Sequence, residues 1–308
     1  MPAPLVFRLG YVALNVVDAE RAAEDTCNIA GARISGRENG RIMLTSNQRR
    51  AEVILYPAAT DSLRRVGLEA VSPEAVAEVA ARARKAGLKI LSETPSLGCI
   101  DRAVTFLTSE GHAIEVHTPM PMDQPRRYHG PGVHPRFLDH INFAAIDPVK
   151  FAEDLHAATG MLLTERTAGY EIMWMRAADG RHHTLAAVKG NTGVHHISWE
   201  FRNFDGLKGI ADELGTEGRR LLWGPGRHGA GDNLFLYYVD SAGFLIECIA
   251  EMEVIQDLDM PVRVSDPGEN LSNWKVVNQW GALPSLEWIQ HFSPCCGVDE
   301  HDDLLLLA

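Results

Sequence analysis

Seven of the thirteen histidines in this 308-residue chain lie between His140 and His228, and only two precede residue 129. Four of the seven form two doublets, His182-His183 and His195-His196, and His228 sits in the glycine-rich stretch 224–231, which reads as a loop. Imidazole at this density suggests one of two jobs: moving protons near neutral pH, or ligating a metal through a ring nitrogen. Further on, Glu247 interrupts the apolar run 244–249. A carboxylate among such neighbours needs a cation, because burying it unpaired is costly.

The elements that must position these groups come from internal repetition. Leu9-Gly10-Tyr11-Val12-Ala13-Leu14-Asn15-Val16-Val17-Asp18 matches Leu138-Asp139-His140-Ile141-Asn142-Phe143-Ala144-Ala145-Ile146-Asp147 at an offset of 129. The same offset sets Ala23-Glu24-Asp25 over Ala152-Glu153-Asp154 and Gly31 over Gly160, a helix closed by a glycine both times. Later, Gly111-His112-Ala113-Ile114-Glu115 falls on Gly243-Phe244-Leu245-Ile246-Glu247 at offset 132. The two halves are copies, and each half splits again: Asp139-His140-Ile141 and a helix over 151–158 are echoed by His195-His196-Ile197 and a helix over 207–214. Strands are expected at 169–176, 184–188, 233–239 and 244–250, with turns at 178–180 and 240–243. The fold class is therefore α+β: a βαβββ unit used four times, two units to a domain, each pair forming a curved, barrel-like sheet. The expected division is a non-catalytic domain over 1–118, a linker over 119–135 with five prolines, a catalytic domain over 136–252 and a looser extension over 253–308.

His140 and His196 hold the same place in the first strands of successive units, 56 residues apart. Units that pair to close a curved sheet bring such positions together on the concave face, and Glu247 lies in the last strand of the second unit. Two imidazoles and one carboxylate with open positions make the 2-His-1-carboxylate set of non-haem iron(II) oxygenases. The first copy has Tyr11 opposite His140, Val66 or Gly67 opposite His196, and Val53 opposite His183; only the glutamate persists, as Glu115, which reads as a relic. In each doublet one ring faces the cup. His183 and His196 are taken as the inward ones, His182 and His195 as their packing or hydrogen-bonding neighbours. His112, His117, His129, His134 and His156 read as surface or linker residues.

Composition closes off other classes. The formal charge is −12 with no basic block, which argues against a nucleic-acid partner. No apolar run reaches the ~18 residues of a membrane span, and the chain's start lacks a signal sequence, so no membrane partner and a cytoplasmic location are expected. Cys27, Cys99, Cys248, Cys295 and Cys296 contain no CxxC pair and suggest neither a disulfide framework nor a thiolate zinc site.

Several stretches, taken in order, resemble the type I extradiol ring-cleavage dioxygenases of the vicinal oxygen chelate superfamily. They are Asp139-His140-Ile141-Asn142-Phe143, Arg181-His182-His183-Thr184-Leu185, Val194-His195-His196-Ile197-Ser198, Gly226-Arg227-His228-Gly229, Tyr237, and Gly243-Phe244-Leu245-Ile246-Glu247. The resemblance covers residues 5–252, including an inert N-terminal copy. It implies iron(II), with manganese(II) left open, held by His140, His196 and Glu247. It implies His183 as an acid/base group, His228 and Tyr237 on the substrate side (Tyr238 is one residue away), and Asn142 facing the oxygen site. The implied reaction opens a catechol ring beside its hydroxyls with O2 to a 2-hydroxymuconic semialdehyde type of product, and a homo-oligomer is expected. Gly229-Ala230-Gly231-Asp232 departs from the biphenyl-type pattern, which leaves the substrate open. Two further readings use the same scaffold: a glyoxalase-like isomerase or lyase on another metal, and a metal-free protein that binds an aromatic compound.

Overall fold

The computed structural model describes residues 3–121, 130–269, 272–298 and 304–306. Part of the expected linker, His129 and the acidic stretch 299–303 lie outside them. The first half runs β1 (Val6–Val16), α1 (Ala19–Asp25), β2 (Arg33–Glu38), β3 (Arg41–Thr45), β4 (Val53–Pro57), β5 (Ser62–Ala70), α2 (Pro73–Lys85), β6 (Ile90–Ser92), β7 (Ala103–Leu107) and β8 (Ala113–His117). The second runs β9 (Phe137–Ala145), α3 (Pro148–Thr159), β10 (Leu162–Thr167), β11 (Ile172–Arg176), β12 (Leu185–Lys189), β13 (Gly193–Glu200), α4 (Phe204–Thr216), β14 (Trp223–His228), β15 (Leu234–Val239) and β16 (Leu245–Ala250). That is βαβββ four times, as the repeat predicts.

The aspartate that ends each repeated strand has a local task. Asp18 accepts from the Arg21 amide and Asp147 from the Val149 and Lys150 amides, so each caps the helix that follows. Gly160 closes α3 at φ 73°, a left-handed conformation that glycine adopts without strain. In the first copy, α1 widens into a π-helical turn over Thr26–Ala30 before its own glycine, Gly31.

Each half is one sheet. The order is β2-β3-β4-β1-β5-β8-β7-β6 in the first, and β10-β11-β12-β9-β13-β16-β15-β14 forms the body of the second. The central pairs, β1 with β5 and β9 with β13, are antiparallel, so the two units of each half meet through their first strands. Ile141, Phe143, Ile197 and Trp199 turn into the main apolar core. Alternation then sends His140, Asn142, His196 and Ser198 to the concave face.

The segment after residue 252 is more ordered than its composition suggests. β17 (Arg263–Ser265) pairs with β10 at one edge of the second sheet. β18 (Asn278–Trp280) pairs with β14 at the other edge. A single turn, α5 (Leu286–Ile289), follows, and β19 (Ser293–Pro294) pairs with the start of β13. Beyond it, β20 (Cys296–Val298) pairs with β21 (Leu304–Leu306). The extension thus covers both open edges and crosses the mouth of the cup. Among the described residues, no helix is long and apolar enough to cross a membrane.

Two expectations need correction. Residues 223–228 form strand β14, because their backbone pairs with β15 on one side and β18 on the other; glycine content alone suggested a loop. His112 and His117 are fully buried, not surface residues. His112 donates from Nε2 to the Ala144 carbonyl of the other half at 3.0 Å, and its ring packs against Phe143 and Phe151. The His117 ring fills space left by Gly10, where a Cβ would stand 2.2 Å from its Nε2.

Candidate metal centre and pocket

The β9–β13 register sets His140 opposite Ser198 and Asn142 opposite His196, while Ser198 faces Glu247 on the parallel strand β16. His140, His196 and Glu247 are therefore neighbours on adjacent strands, and all three are buried. His140 Nε2 stands 2.8 Å from Glu247 Oε2, His196 Nε2 stands 3.5 Å from the same oxygen, and the two Nε2 atoms are 3.4 Å apart. Three donors on one face of an octahedron with bonds of about 2.1 Å would be about 3.0 Å apart. The set fits iron(II) or manganese(II), and leaves the opposite face for other ligands.

Partners behind the ligands fix which ring nitrogen is presented. His140 Nδ1 lies 2.7 Å from Asp139 Oδ2, and a carboxylate only accepts, so Nδ1 carries the proton and Nε2 is left to ligate. Asp139 is itself paired with Arg181. His196 Nδ1 meets His195 Nδ1 at 2.7 Å, and His195 also hydrogen-bonds the backbone of Trp288 in the C-terminal segment. Asp139 flanks a ligand in residue order but carries no further mark of its partnership there, and nothing in residue order points to Trp288.

Without a metal, the three ligands share charge among themselves. Burial alone would lower His140, but the Glu247 charge and the Asp139 hydrogen bond outweigh it and push it up to about 9. Burial alone would raise Glu247, but His140 and His196 hold it well below the usual carboxylate range. A metal must therefore displace a proton from His140. Manganese(II) uptake is expected to release about one proton per ion near pH 7 and to weaken about tenfold for each pH unit below 9. Calorimetry in buffers of different ionisation enthalpy measures both, and pH-independent uptake would remove His140 from the ligand set.

The remaining expected site residues all line the same cavity, of about 310 Å³: Asn142, His183, His228 and Tyr237. The Tyr237 hydroxyl donates to Glu247 Oε1, and His228 Nε2 stands 3.0 Å from that hydroxyl and 3.1 Å from Oε1. Tyr238 points instead into the apolar core. His228 Nδ1 donates to the Val277 carbonyl at 3.1 Å, and Nε2 faces two acceptors, Glu247 Oε1 and the Tyr237 hydroxyl oxygen. The His183 ring packs on His140 with centroids 4.2 Å apart. Its Nδ1 is 3.0 Å from His182 Nδ1, and His182 Nε2 is 3.2 Å from Glu165 Oε2. His182 donates from Nε2 to the carboxylate, so its Nδ1 accepts, and His183 donates from Nδ1 and keeps a lone pair on Nε2. Asn142 Oδ1 is buried with no protein partner.

The equivalent cup of the first half shows what the glutamate needs. There, Tyr11 faces Gly67, Ala13 faces Arg65, and Gly67 faces Glu115. Arg65, not Val66 or Gly67, is thus the counterpart of His196, because the offset has already drifted to 131 at this strand. Likewise Leu185 and Val53 hold matching places beside the first strand, which sets Ala51, not Val53, opposite His183. Glu115 pairs with Arg65 at 3.4 Å and accepts from Tyr11 at 2.9 Å and from Ser96 at 2.9 and 3.1 Å. A fixed guanidinium stands where the second cup offers a metal ligand. The native protein is expected to bind about one metal ion per chain, and Arg65→Met, which strips a buried carboxylate of its cation, to lose about 3–5 kcal/mol of stability. Metal analysis and denaturant unfolding check the pair, and two ions per chain would overturn the reading.

Residues 8–116 match the Glyoxalase/Bleomycin resistance protein/Dioxygenase superfamily. Metapyrocatechase 2 of Cupriavidus necator is 27% identical over 150 residues, 48% of this chain and 45% of that protein, so the likeness spans about half the length of the curated relative. Among solved structures, homoprotocatechuate 2,3-dioxygenase from Brevibacterium fuscum in complex with 3,4-dihydroxyphenylacetate matches with a TM-score of 0.86 at 21% identity, covering 100% of this chain and 98% of that one. The Mn(II)-bound glyoxalase from Novosphingobium aromaticivorans matches at 0.84 and 21%, covering 95% and 96%. At these identities the structural likeness establishes the fold.

Proposed function

We propose that this chain, which carries the glyoxalase/bleomycin resistance protein/dioxygenase superfamily fold through both halves, cleaves a catechol-type ring next to its two hydroxyls with O2. One observation carries the reading: three ligand-type side chains and three proton-handling groups open on a single cavity. A glyoxalase-like isomerase would use the metal ligands but gives no task to His183, His228 and Tyr237 together. In the proposed reaction the ring C–C bond beside the diol breaks and both oxygen atoms stay in the product, so no external reductant is needed.

Bound to His140, His196 and Glu247, iron(II) or manganese(II) would supply Lewis acidity and an electron path between diol and dioxygen. The chain's own groups handle protons. Burial and the neighbouring Glu247 charge raise Tyr237 well above its ordinary range, so it holds its proton and acts as a donor. With Glu247 drawn to a metal, His228 Nε2 would lose its carboxylate partner and be left to take the proton of a catechol hydroxyl. His183 sits across the ligand set and takes the acid/base role toward oxygen. Asn142 offers its unpartnered amide oxygen to the same space.

Protein purified without oxygen should contain iron or manganese, consume one O2 per catechol and turn yellow as the ring opens. Another metal with no yellow product would favour an isomerase or lyase; tight aromatic binding with no metal would favour a binding protein. Five free cysteines support a reducing, cytoplasmic setting. Exposed Leu283, Leu286 and Ile289 on the C-terminal segment support a homo-oligomer.

A further inference from the structure

The cavity divides sharply by chemistry. Its floor is the polar set already described, and its walls are apolar. Ile172, Trp174 and Val188 rise from β11 and β12 on one side, and Trp223, Val276 and Trp288 face them from β14 and the C-terminal segment. Trp288 lies against Trp223 and Tyr237, with ring centroids 4.5 and 5.2 Å apart, so this wall is a continuous aromatic surface. Among the described residues, no lysine or arginine lines the cavity, and the one carboxylate beyond the floor is Glu171 at the rim. Cations close in sequence are turned elsewhere: Lys275 onto the Trp274 ring, Arg166 onto Tyr170, and Arg263 to Glu253.

An anionic substituent placed between these walls would lose its water and find no cation, near an acidic rim on a chain of net charge −12. An uncharged apolar substituent meets the opposite situation. It buries against carbon on both sides and can stack on the aromatic wall. We infer that the substrate of this site is a catechol bearing an uncharged, apolar substituent, aryl or alkyl, and that catechols bearing a carboxylate are discriminated against. The inference rests on the catechol reading above, and adds to it the part of the molecule that does not react.

The tryptophans of the wall provide a readout independent of turnover. Metal-loaded protein is titrated without oxygen with 2,3-dihydroxybiphenyl, 4-ethylcatechol and 3,4-dihydroxyphenylacetate, following quenching of tryptophan fluorescence, and steady-state kcat/KM is then measured in air. The neutral catechols should bind and react about 10²-fold better than the carboxylated one. Val188→Arg, which puts a cation in the wall, should shrink that ratio at least about tenfold. Equal or tighter binding of 3,4-dihydroxyphenylacetate by the native protein overturns the inference, whether or not the ring is cleaved. A neutral preference in binding with no cleavage of any catechol would leave the inference standing and sink the dioxygenase reading instead.

Discussion

Replacing His196 with alanine is expected to leave a folded protein that retains no metal and turns over no catechol. His196 supplies one of the three buried ligand atoms, 3.4 Å from His140 Nε2 and 3.5 Å from Glu247 Oε2, and neither remaining ligand can move across the strand to replace it. Its loss also frees His195, whose 2.7 Å contact and reach to Trp288 tie the site to the C-terminal segment. The apolar face of β13, carried by Ile197 and Trp199, is untouched, so circular dichroism should be native-like. Metal content and oxygen uptake are the measurements. Stoichiometric metal in this variant would mean that His196 does not ligate, and the pairing of His140 with Glu247 at 2.8 Å would then be an ordinary buried ion pair.

How far the site could be read from residue order depends on what kind of signal each part leaves. The metal ligands were legible because duplication supplies an internal control. The same strand carries Tyr11 in one copy and His140 in the other, and a chemical difference at a matched position points to function. The βαβββ unit was legible for a similar reason, since Asp18 and Asp147 cap equivalent helices and Gly31 and Gly160 close them. Register was less accessible. A drift of one or two residues between copies hid Arg65 behind Val66 and Ala51 behind Val53, and only strand pairing reveals that a guanidinium stands in the His196 place. Least legible were the contributions of residues 253–298. They have no counterpart in the repeat and no regular periodicity, yet the Val277 carbonyl orients His228 and Trp288 completes the pocket wall. Those interactions depend on where an irregular segment crosses the sheet, which is decided by pairing at β14 and β10 far away in the chain.

His183→Phe tests the division between holding the metal and moving the proton. Phenylalanine keeps an aromatic ring against His140, where the two centroids are 4.2 Å apart, so the packing behind that ligand survives and metal content should be native. What disappears is the chain from Glu165 through His182 to His183, which presents an imidazole lone pair at the cavity. Burial pushes His183 well below its ordinary range, with the neighbouring His140 adding to the effect, so it enters the reaction neutral. A neutral imidazole must first collect a proton before it can deliver one, and catechol binding releases protons beside it. Turnover should therefore fall by about 10²–10⁴, the usual contribution of a positioned acid/base group, while anaerobic binding of catechol, whose deprotonation we assign to His228, changes little. Glu165→Gln should give a milder version of the same defect, because an amide can donate to His182 and reverse the order of protons along the chain. Loss of metal from His183→Phe would recast His183 as a ligand or a prop. Native turnover in both variants would move the acid/base role to another group on the cavity wall.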